Sequence, residues 1–364
     1  MKLLYITNGI KGAAGLERVL SIKASYLVDV LGYEVHILML NNNNAKLFYE
    51  FSSKIILHDV IVYGNPFQYI RKYIHGIKAT VKKINPDVIS VCDDGLKGFF
   101  IPKIITNKTP IIYERHVSKV IELGIKPSFI KKVKLSVKFL IMNYLAKSFD
   151  KFILLTKDTI SEWNIKNSKV IPNPLSFFSI DSALLDNKKV IAVGKQGIQK
   201  GYDRLLHSWK IVQENHPDWE LSIYGKFDPK SNLVSLSKQL NIENSVHFYK
   251  PVKNIKDKYR ESSIFAFSSR FEGFGMVLIE AMALGVPCVS FDCPFGPSTI
   301  IKDNEDGFLV ANGDADAFAE KLMVLIQNKD KRILMGGTAK ENVKRYLPET
   351  IMPQWDKLFK ELTQ

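Results

Sequence analysis

Cysteine is nearly absent from this chain: Cys92, Cys288 and Cys293 are the only three in 364 residues. An odd number this small excludes a disulfide framework, and no histidine cluster completes a zinc set around them. Reduced, structurally incidental thiols are the expectation. Long apolar runs are missing too, since none approaches the roughly 20 residues needed to span a bilayer. The leading run Leu3–Thr7 ends at Asn8-Gly9, too short for a signal-peptide core and without a small-residue cleavage site. A cytosolic protein is expected. The sequence also lacks an H-E-x-x-H motif, a Ser/His/Asp set and an alternating Asp-x-Asp cluster, Asp93 and Asp94 being adjacent. Metal-free chemistry with no bound cofactor is the corresponding expectation.

Acid is what the first half lacks. Residues 1–174 hold 26 Lys and Arg against 13 Asp and Glu, a charge of +13, while the remainder holds 25 against 24. Such asymmetry points to an acidic surface or partner facing the first half alone. Phe129–Ala146 carries Lys131, Lys132, Lys134 and Lys138 among Phe129, Val133, Val137, Leu140 and Tyr144 at near-helical spacing. This segment reads equally as a basic amphipathic helix lying on anionic lipid or as a sheet-covering helix with a solvated face. Nucleic acid is the other acidic partner to weigh, but it calls for aromatic-rich basic strands, and the basic stretches here are helical.

Hydrophobic residues make up 46% and charged residues 24%, a globular composition with length for two cores. Short apolar strands alternate with helix-length segments. Leu3–Thr7, Glu34–Leu40, Lys54–His58, Asp87–Cys92, Pro110–Glu114 and Lys151–Leu155 read as strands, with helices over Glu17–Leu31 and Phe67–Ile84. Asn41 to Asn44 form a polar turn. Pro172 and Pro174 then break the pattern, and the alternation restarts with Val190–Gly194, Leu221–Gly225, Val246–Tyr249, Ile264–Phe267 and Val286–Phe291. Tyr202–Val212, Gly275–Leu284, Asp314–Gln327 and Pro348–Leu362 read as helices. The expected organisation is a Rossmann-like domain over 1–174, a second over 175–347, and a helix over 348–364 crossing back to the first.

Ligands of open parallel sheets bind beyond the carboxyl ends of strands, so useful residues should follow strands directly. After the strand Ile264–Phe267 comes Ser268-Ser269-Arg270-Phe271-Glu272-Gly273-Phe274-Gly275, then a helix carrying Glu280. Gly273 and Gly275 leave backbone N–H groups bare where a helix begins, a seat for phosphate oxygens flanked by two carboxylates. After Val193 comes Gly194-Lys195-Gln196-Gly197-Ile198-Gln199-Lys200-Gly201, whose two lysines suit a diphosphate or are simply solvated. After the first strand, Gly9 to Gly15 form a glycine-rich loop that can approach a ligand closely, although it is not G-x-G-x-x-G. Tyr113-Glu114-Arg115-His116 ends another strand, and a lone histidine there is a substrate contact or a structural group.

Taken together, Gly194-Lys195…Lys200-Gly201, the strand ending in Tyr224-Gly225, and Glu272-Gly273-Phe274-Gly275…Glu280-Ala281 resemble the retaining glycosyltransferases of the GT4 family. The resemblance extends over most of the chain, including Ile171-Pro172-Asn173-Pro174 and a terminal helix with Trp355. It implies the GT-B fold, an α/β architecture of two tandem Rossmann-like domains facing across a cleft. It also implies a nucleotide-sugar donor on the C-terminal side, lined by Gly225. Glu272 would bind sugar hydroxyls, and the N–H groups around Gly273, Phe274, Gly275, Met276 and Val277 would meet sugar and phosphate. Lys195 and Lys200 would grip the diphosphate, and Glu280 would take the ribose. His116 and the loop Gly12–Gly15 would serve the reacting centre and the acceptor. Front-face substitution is the implied chemistry, with no carboxylate nucleophile and no metal. Lys195 stands where the family more often has Arg, Lys250 where Gly is usual, and Thr299 where Glu is expected. The run Phe291–Ser298 resembles a subgroup that builds bacterial surface glycans, which implies a UDP-hexose or UDP-N-acetylhexosamine donor and a lipid-linked or polysaccharide acceptor. A sugar-nucleotide epimerase of the same architecture is the alternative within enzymes, and a basic nucleic-acid-binding protein the alternative outside them.

Overall fold

The computed structural model describes every residue except Asn44, Ile125, Lys126 and Asn164. The chain divides into two compact units, Met1–Pro174 together with Pro348–Gln364, and Leu175–Leu347. Each is a parallel sheet with helices between its strands.

The first unit holds β1 (Lys2–Thr7), β2 (Glu34–Leu40), β3 (Ile56–Val60), β4 (Val88–Cys92), β5 (Ile111–Glu114), β6 (Lys151–Leu154) and β7 (Ser168–Val170). Their order across the sheet is β3-β2-β1-β4-β5-β6-β7. The central strands read as unbroken apolar runs because helices cover both faces, and every residue of β4 is buried. The edge differs: β3 begins two residues later than its apolar run suggests, pairing Ile56 with His36. The three-residue β7 has no apolar pattern and exists only by pairing with β6. In the polar turn after β2, Asn41 and Asn43 take left-handed φ of 51° and 50°; Asn44 lies outside the described residues.

Helix Gly15–Asp29 follows β1, and helix Pro66–Ile84 opens on a capping box between Asn65 and Gln68. The C-terminal helix Pro348–Thr363 buries Ile351, Met352, Trp355, Leu358 and Phe359 in this first unit. Tyr33 fixes it by donating to Asp356 Oδ1 at 2.5 Å.

The second unit holds β8 (Lys189–Val193), β9 (Glu220–Tyr224), β10 (Val246–Tyr249), β11 (Ile264–Phe267), β12 (Cys288–Asp292) and β13 (Gly307–Ala311), ordered β10-β9-β8-β11-β12-β13. The edge strand β13, whose run from Phe308 to Ala311 is apolar, and the polar helix Lys329–Asn342 add to the elements expected from the sequence. Strand order reverses direction on either side of β8, so the chain leaves β8 and β11 towards opposite faces of the sheet. Ligands of open parallel sheets bind at such a switch point, outside the carboxyl ends of these two strands. The corresponding point in the first unit lies between β1 and β4.

Candidate active site

The two loops at the second unit's switch point are sewn together before any ligand is considered. Arg270 N–H donates to Gln199 O at 2.8 Å, and Ser268 Oγ donates to Lys200 O at 2.8 Å. Arg270 also grips Asp203 with two bonds of 2.7 and 2.5 Å, a bidentate geometry that fixes the loop's entry. Gly201 makes this possible. Its φ is +64°, and a Cβ there would stand 2.2 Å from Ser268 O, so a side chain would push the loops apart.

The consequence is a contact between two residues 72 positions apart. Lys200 Nζ donates to Glu272 Oε1 at 2.6 Å, and Ser269 Oγ donates to the same oxygen at 2.6 Å. Glu272 is 6% exposed, and the lysine side chain lies at the rim. The neighbouring Cys293 thiol is pushed well up by burial and then by Glu272, so it is held as an inert thiol.

Beyond Glu272 the chain passes through Gly273 and buried Phe274, whose ring meets Tyr346 edge-on at 5.5 Å. Gly275, at φ +107°, precedes helix Met276–Met282, so the Met276 and Val277 N–H groups fall in a first turn without intrahelical acceptors. Glu280 is set apart from Glu272. It is 0% exposed, and its two oxygens accept from Ser176 Oγ at 2.8 Å and Tyr259 OH at 3.2 Å.

Lys195 and Lys200 also separate. Lys195 is directed at Asp228, 3.5 Å away in the loop after β9, and its side chain is 65% exposed. Between them, Gln196 is buried and donates to Gly225 O and Tyr249 O, both at 3.1 Å. Its Oε1 is buried without a hydrogen-bond partner among the described residues. Gly225 admits no side chain, because a Cβ there would sit 1.8 Å from Gly194 O. Beside this contact the Tyr224 and Tyr249 rings stack at 4.7 Å.

In the first unit, Asn8 Nδ2 donates to Asp93 Oδ1 at 2.7 Å and ties the loop after β1 to the loop after β4. Gly12 lies against Glu17, and Gly15 opens helix Gly15–Asp29 in open space, where a Cβ would meet no atom within 4 Å. His116 Nε2 lies 3.2 Å from Glu114 Oε2, its backbone N–H donates to Asp94 Oδ1 at 3.2 Å, and its Nδ1 is buried without a partner among the described residues. Glu114 also receives Lys23 Nζ at 2.5 Å and Ser90 Oγ at 2.6 Å. Burial opposes its ionisation, but Lys23 and His116 overcome that and hold the carboxyl at about 2. Lys23 Nζ sits 3.3 Å from the Trp355 ring centroid, a cation–π contact with the C-terminal helix.

Cys92, Glu114 and His116 bring ligand atoms within 4.8 Å of one another, a spacing open to a cation. The donor set does not suit one. Lys23 already neutralises the carboxylate, and burial followed by Glu114 keeps the Cys92 thiol protonated.

Sequence reasoning singled out Glu272, Lys200 and His116 as candidates because each lies in a segment that follows a strand. Ser269, three residues before Glu272, carried a weak local signal, and Gln196 lay unweighed between two lysines. Ser176 and Tyr259 gave none, because only the fold brings them to Glu280.

Comparison with known proteins agrees with this geometry. Residues 178–342 match the sequence family described as glycosyl transferases group 1. The amylovoran biosynthesis glycosyltransferase AmsD of Erwinia amylovora is 29% identical over 98% of this chain and 98% of its own length. A Campylobacter jejuni alpha-1,4-N-acetyl-D-galactosaminyltransferase, named for a diNAcBac-PP-undecaprenol-linked acceptor, is 28% identical over 80% of this chain and 79% of its own. Sucrose-phosphate synthase from Thermosynechococcus elongatus superimposes with a TM-score of 0.84 at 18% identity, covering 99% of this chain and 98% of that one. Anabaena HepE in complex with UDP and glucose superimposes with a TM-score of 0.78 at 17% identity, covering 99% of each. These likenesses carry the two-domain GT-B fold across the whole chain. The family match lies within the second unit, and together with the full-length relatives it marks the chain as a glycosyltransferase enzyme.

Proposed function

We propose that this enzyme is a retaining glycosyltransferase of the GT4 type. It moves a hexose or N-acetylhexosamine from a UDP-sugar to a lipid-linked or polysaccharide acceptor during bacterial surface-glycan assembly. The observation that carries the reading is the Lys200–Glu272 pair at the switch point. It supplies a carboxylate for sugar hydroxyls and an ammonium for a diphosphate within one hydrogen bond of each other. On donor binding, Glu272 accepts from the sugar hydroxyls and Lys200 turns to the phosphate oxygens, supported by N–H groups from Gly273 to Val277. Glu280 serves the ribose from its seat on Ser176 and Tyr259. Lys195, paired with Asp228, adds charge at the edge of the site.

The acceptor oxygen attacks the anomeric carbon on the face from which the diphosphate departs. As the anomeric C–O bond to phosphate breaks, a departing phosphate oxygen takes the acceptor's proton, so configuration is retained without a carboxylate nucleophile or a metal. His116 and the loop Gly12–Gly15 contribute on the acceptor side. The names of the relatives support the pathway: one is named for amylovoran biosynthesis and another for an undecaprenol-linked acceptor, while the HepE structure holds UDP and glucose. The site of action is the cytosolic side of the membrane. Among the described residues no helix is long and apolar enough to cross it.

Incubation with a panel of UDP- and other nucleotide-sugars, read as slow donor hydrolysis, tests this directly. One donor should stand out, and Glu272→Gln should lower its turnover by about 100-fold or more. Silence with every donor, or full activity in the variant, would overturn the reading.

A further inference from the structure

Helix Phe129–Ala146 is apolar on two sides, one packed on the body and one exposed. Toward the body it turns Leu135, Phe139, Met142, Leu145 and Ala146, and packing on that side accounts for them. Yet Phe129, Ile130, Val133, Val137, Leu140 and Tyr144 are all exposed, Phe129 at 80% and Tyr144 at 71%. At about 100° per residue these six fall within one stripe roughly 100° wide, pointing away from the sheet. Apolar surface concentrated in this way on an exposed face marks an interaction site.

The charges around the stripe decide what covers it. Lys132 and Lys134 lie on its two borders at helical spacing. Between residues 123 and 149 there are six lysines and no Asp or Glu. Lys131 and Lys138 are turned back to the helix's own neighbourhood, where they bond Leu123 O and Glu122. A second copy of this chain would bring like-charged borders together, whereas an anionic lipid surface would meet both the stripe and its rims. Four lysines within eight residues exclude a spanning helix but suit one lying in the plane of the headgroups.

We propose that helix Phe129–Ala146 docks the protein onto anionic membrane, inserting the Phe129–Tyr144 stripe among the acyl chains with Lys132 and Lys134 at the headgroups. This rests on the reading of the first half as the acceptor-side unit that works at a membrane. It is tested without donor or acceptor, so it fails separately from the transferase assignment.

The full chain is sedimented with phosphatidylcholine vesicles with and without phosphatidylglycerol. Binding is expected only to the anionic vesicles and should weaken as salt rises. The double variant Val137→Ser/Leu140→Ser should bind at least tenfold more weakly. Lys132→Gln and Lys134→Gln should each lose about fivefold. Donor hydrolysis and circular dichroism should stay at wild-type level in all three, since none of these residues belongs to the catalytic site. Equal binding to neutral vesicles, no binding at all, or undiminished binding by the double variant would overturn the proposal. So would a wild-type dimer in sedimentation velocity that the double variant abolishes, because the stripe would then be covered by a second copy.

Discussion

Each unit of this molecule sets a lysine against a glutamate at almost the same distance, 2.5 Å for Lys23–Glu114 and 2.6 Å for Lys200–Glu272. The chemistry is identical and the surroundings are not. Lys23 and Glu114 are sealed, with 1% and 2% of their side chains exposed, and Ser90, His116 and the Trp355 ring occupy the remaining directions. Lys200 and Glu272 are 16% and 8% exposed, on two loops at the point where strand order turns. A sealed pair cannot change partners without leaving a bare charge in the interior. A pair at a rim can, because a ligand's hydroxyls and phosphates replace what each side loses. On the proposed reading, burial rather than residue type separates the structural pair from the working one.

The largest effect should come from removing one ammonium from each pair. Lys23→Met strands an ionised carboxylate among buried groups and should cost about 3–5 kcal/mol of unfolding free energy. Lys200→Met leaves Glu272 with Ser269 and nearby solvent, and should cost less than half of that. Urea unfolding can follow the units separately, since Trp163 and Trp355 lie in the first and Trp209 and Trp219 in the second. Donor turnover should reverse the ranking, with Lys200→Met down about 100-fold and the folded fraction of Lys23→Met close to normal in donor hydrolysis. Equal stability losses in the two variants would break the comparison.

How much of this could be read beforehand follows from the same physics. Parallel strands buried on both faces leave continuous apolar runs, so Glu34–Leu40 and Ile264–Phe267 were legible to the residue. Ser168–Val170 was not, because a three-residue edge strand without an apolar pattern is defined by its one neighbour, whereas Gly307–Ala311 does carry an apolar run from Phe308 to Ala311. Helix Lys329–Asn342 was hidden by Gly336 and Gly337; the first is required where a Cβ would stand 2.0 Å from Gly285 O. Strand ends singled out Glu272 and Lys200 as candidates. That Lys200 meets Glu272 while Lys195 meets Asp228 depends on the left-handed turn at Gly201, which spacing alone does not encode. Periodicity gave helix Phe129–Ala146 an apolar stripe but not its direction, and the direction carries the meaning.

Acid should sharpen the contrast by a smaller margin. The Glu114 carboxyl lies at about 2 in the folded protein against an ordinary 4.5, burial being overcome by Lys23 and His116. A depressed carboxyl contributes stability that is fully present above the unfolded value and is lost as pH falls towards the folded one. The first unit should therefore weaken progressively between about pH 4.5 and pH 2, a slope that Glu114→Gln should flatten in that unit's unfolding. A slope unchanged by that substitution would mean that other carboxylates govern acid unfolding.

The smallest effect tests whether the two lysines after β8 differ as their contacts suggest. Lys195 is 65% exposed and 3.5 Å from Asp228, a surface pair of the kind worth about 0–1 kcal/mol. Lys195→Ala should leave unfolding within about 0.5 kcal/mol of wild type. Because its ammonium sits at the edge rather than on Glu272, the loss should appear as a several-fold rise in donor KM with turnover nearly kept, the signature of uniform binding. Lys200→Met should instead lose turnover. If Lys195→Ala lost turnover as severely as Lys200→Met, both ammoniums would act on the departing diphosphate. The rim pair would then be one arm of a two-lysine clamp that closes only around the donor.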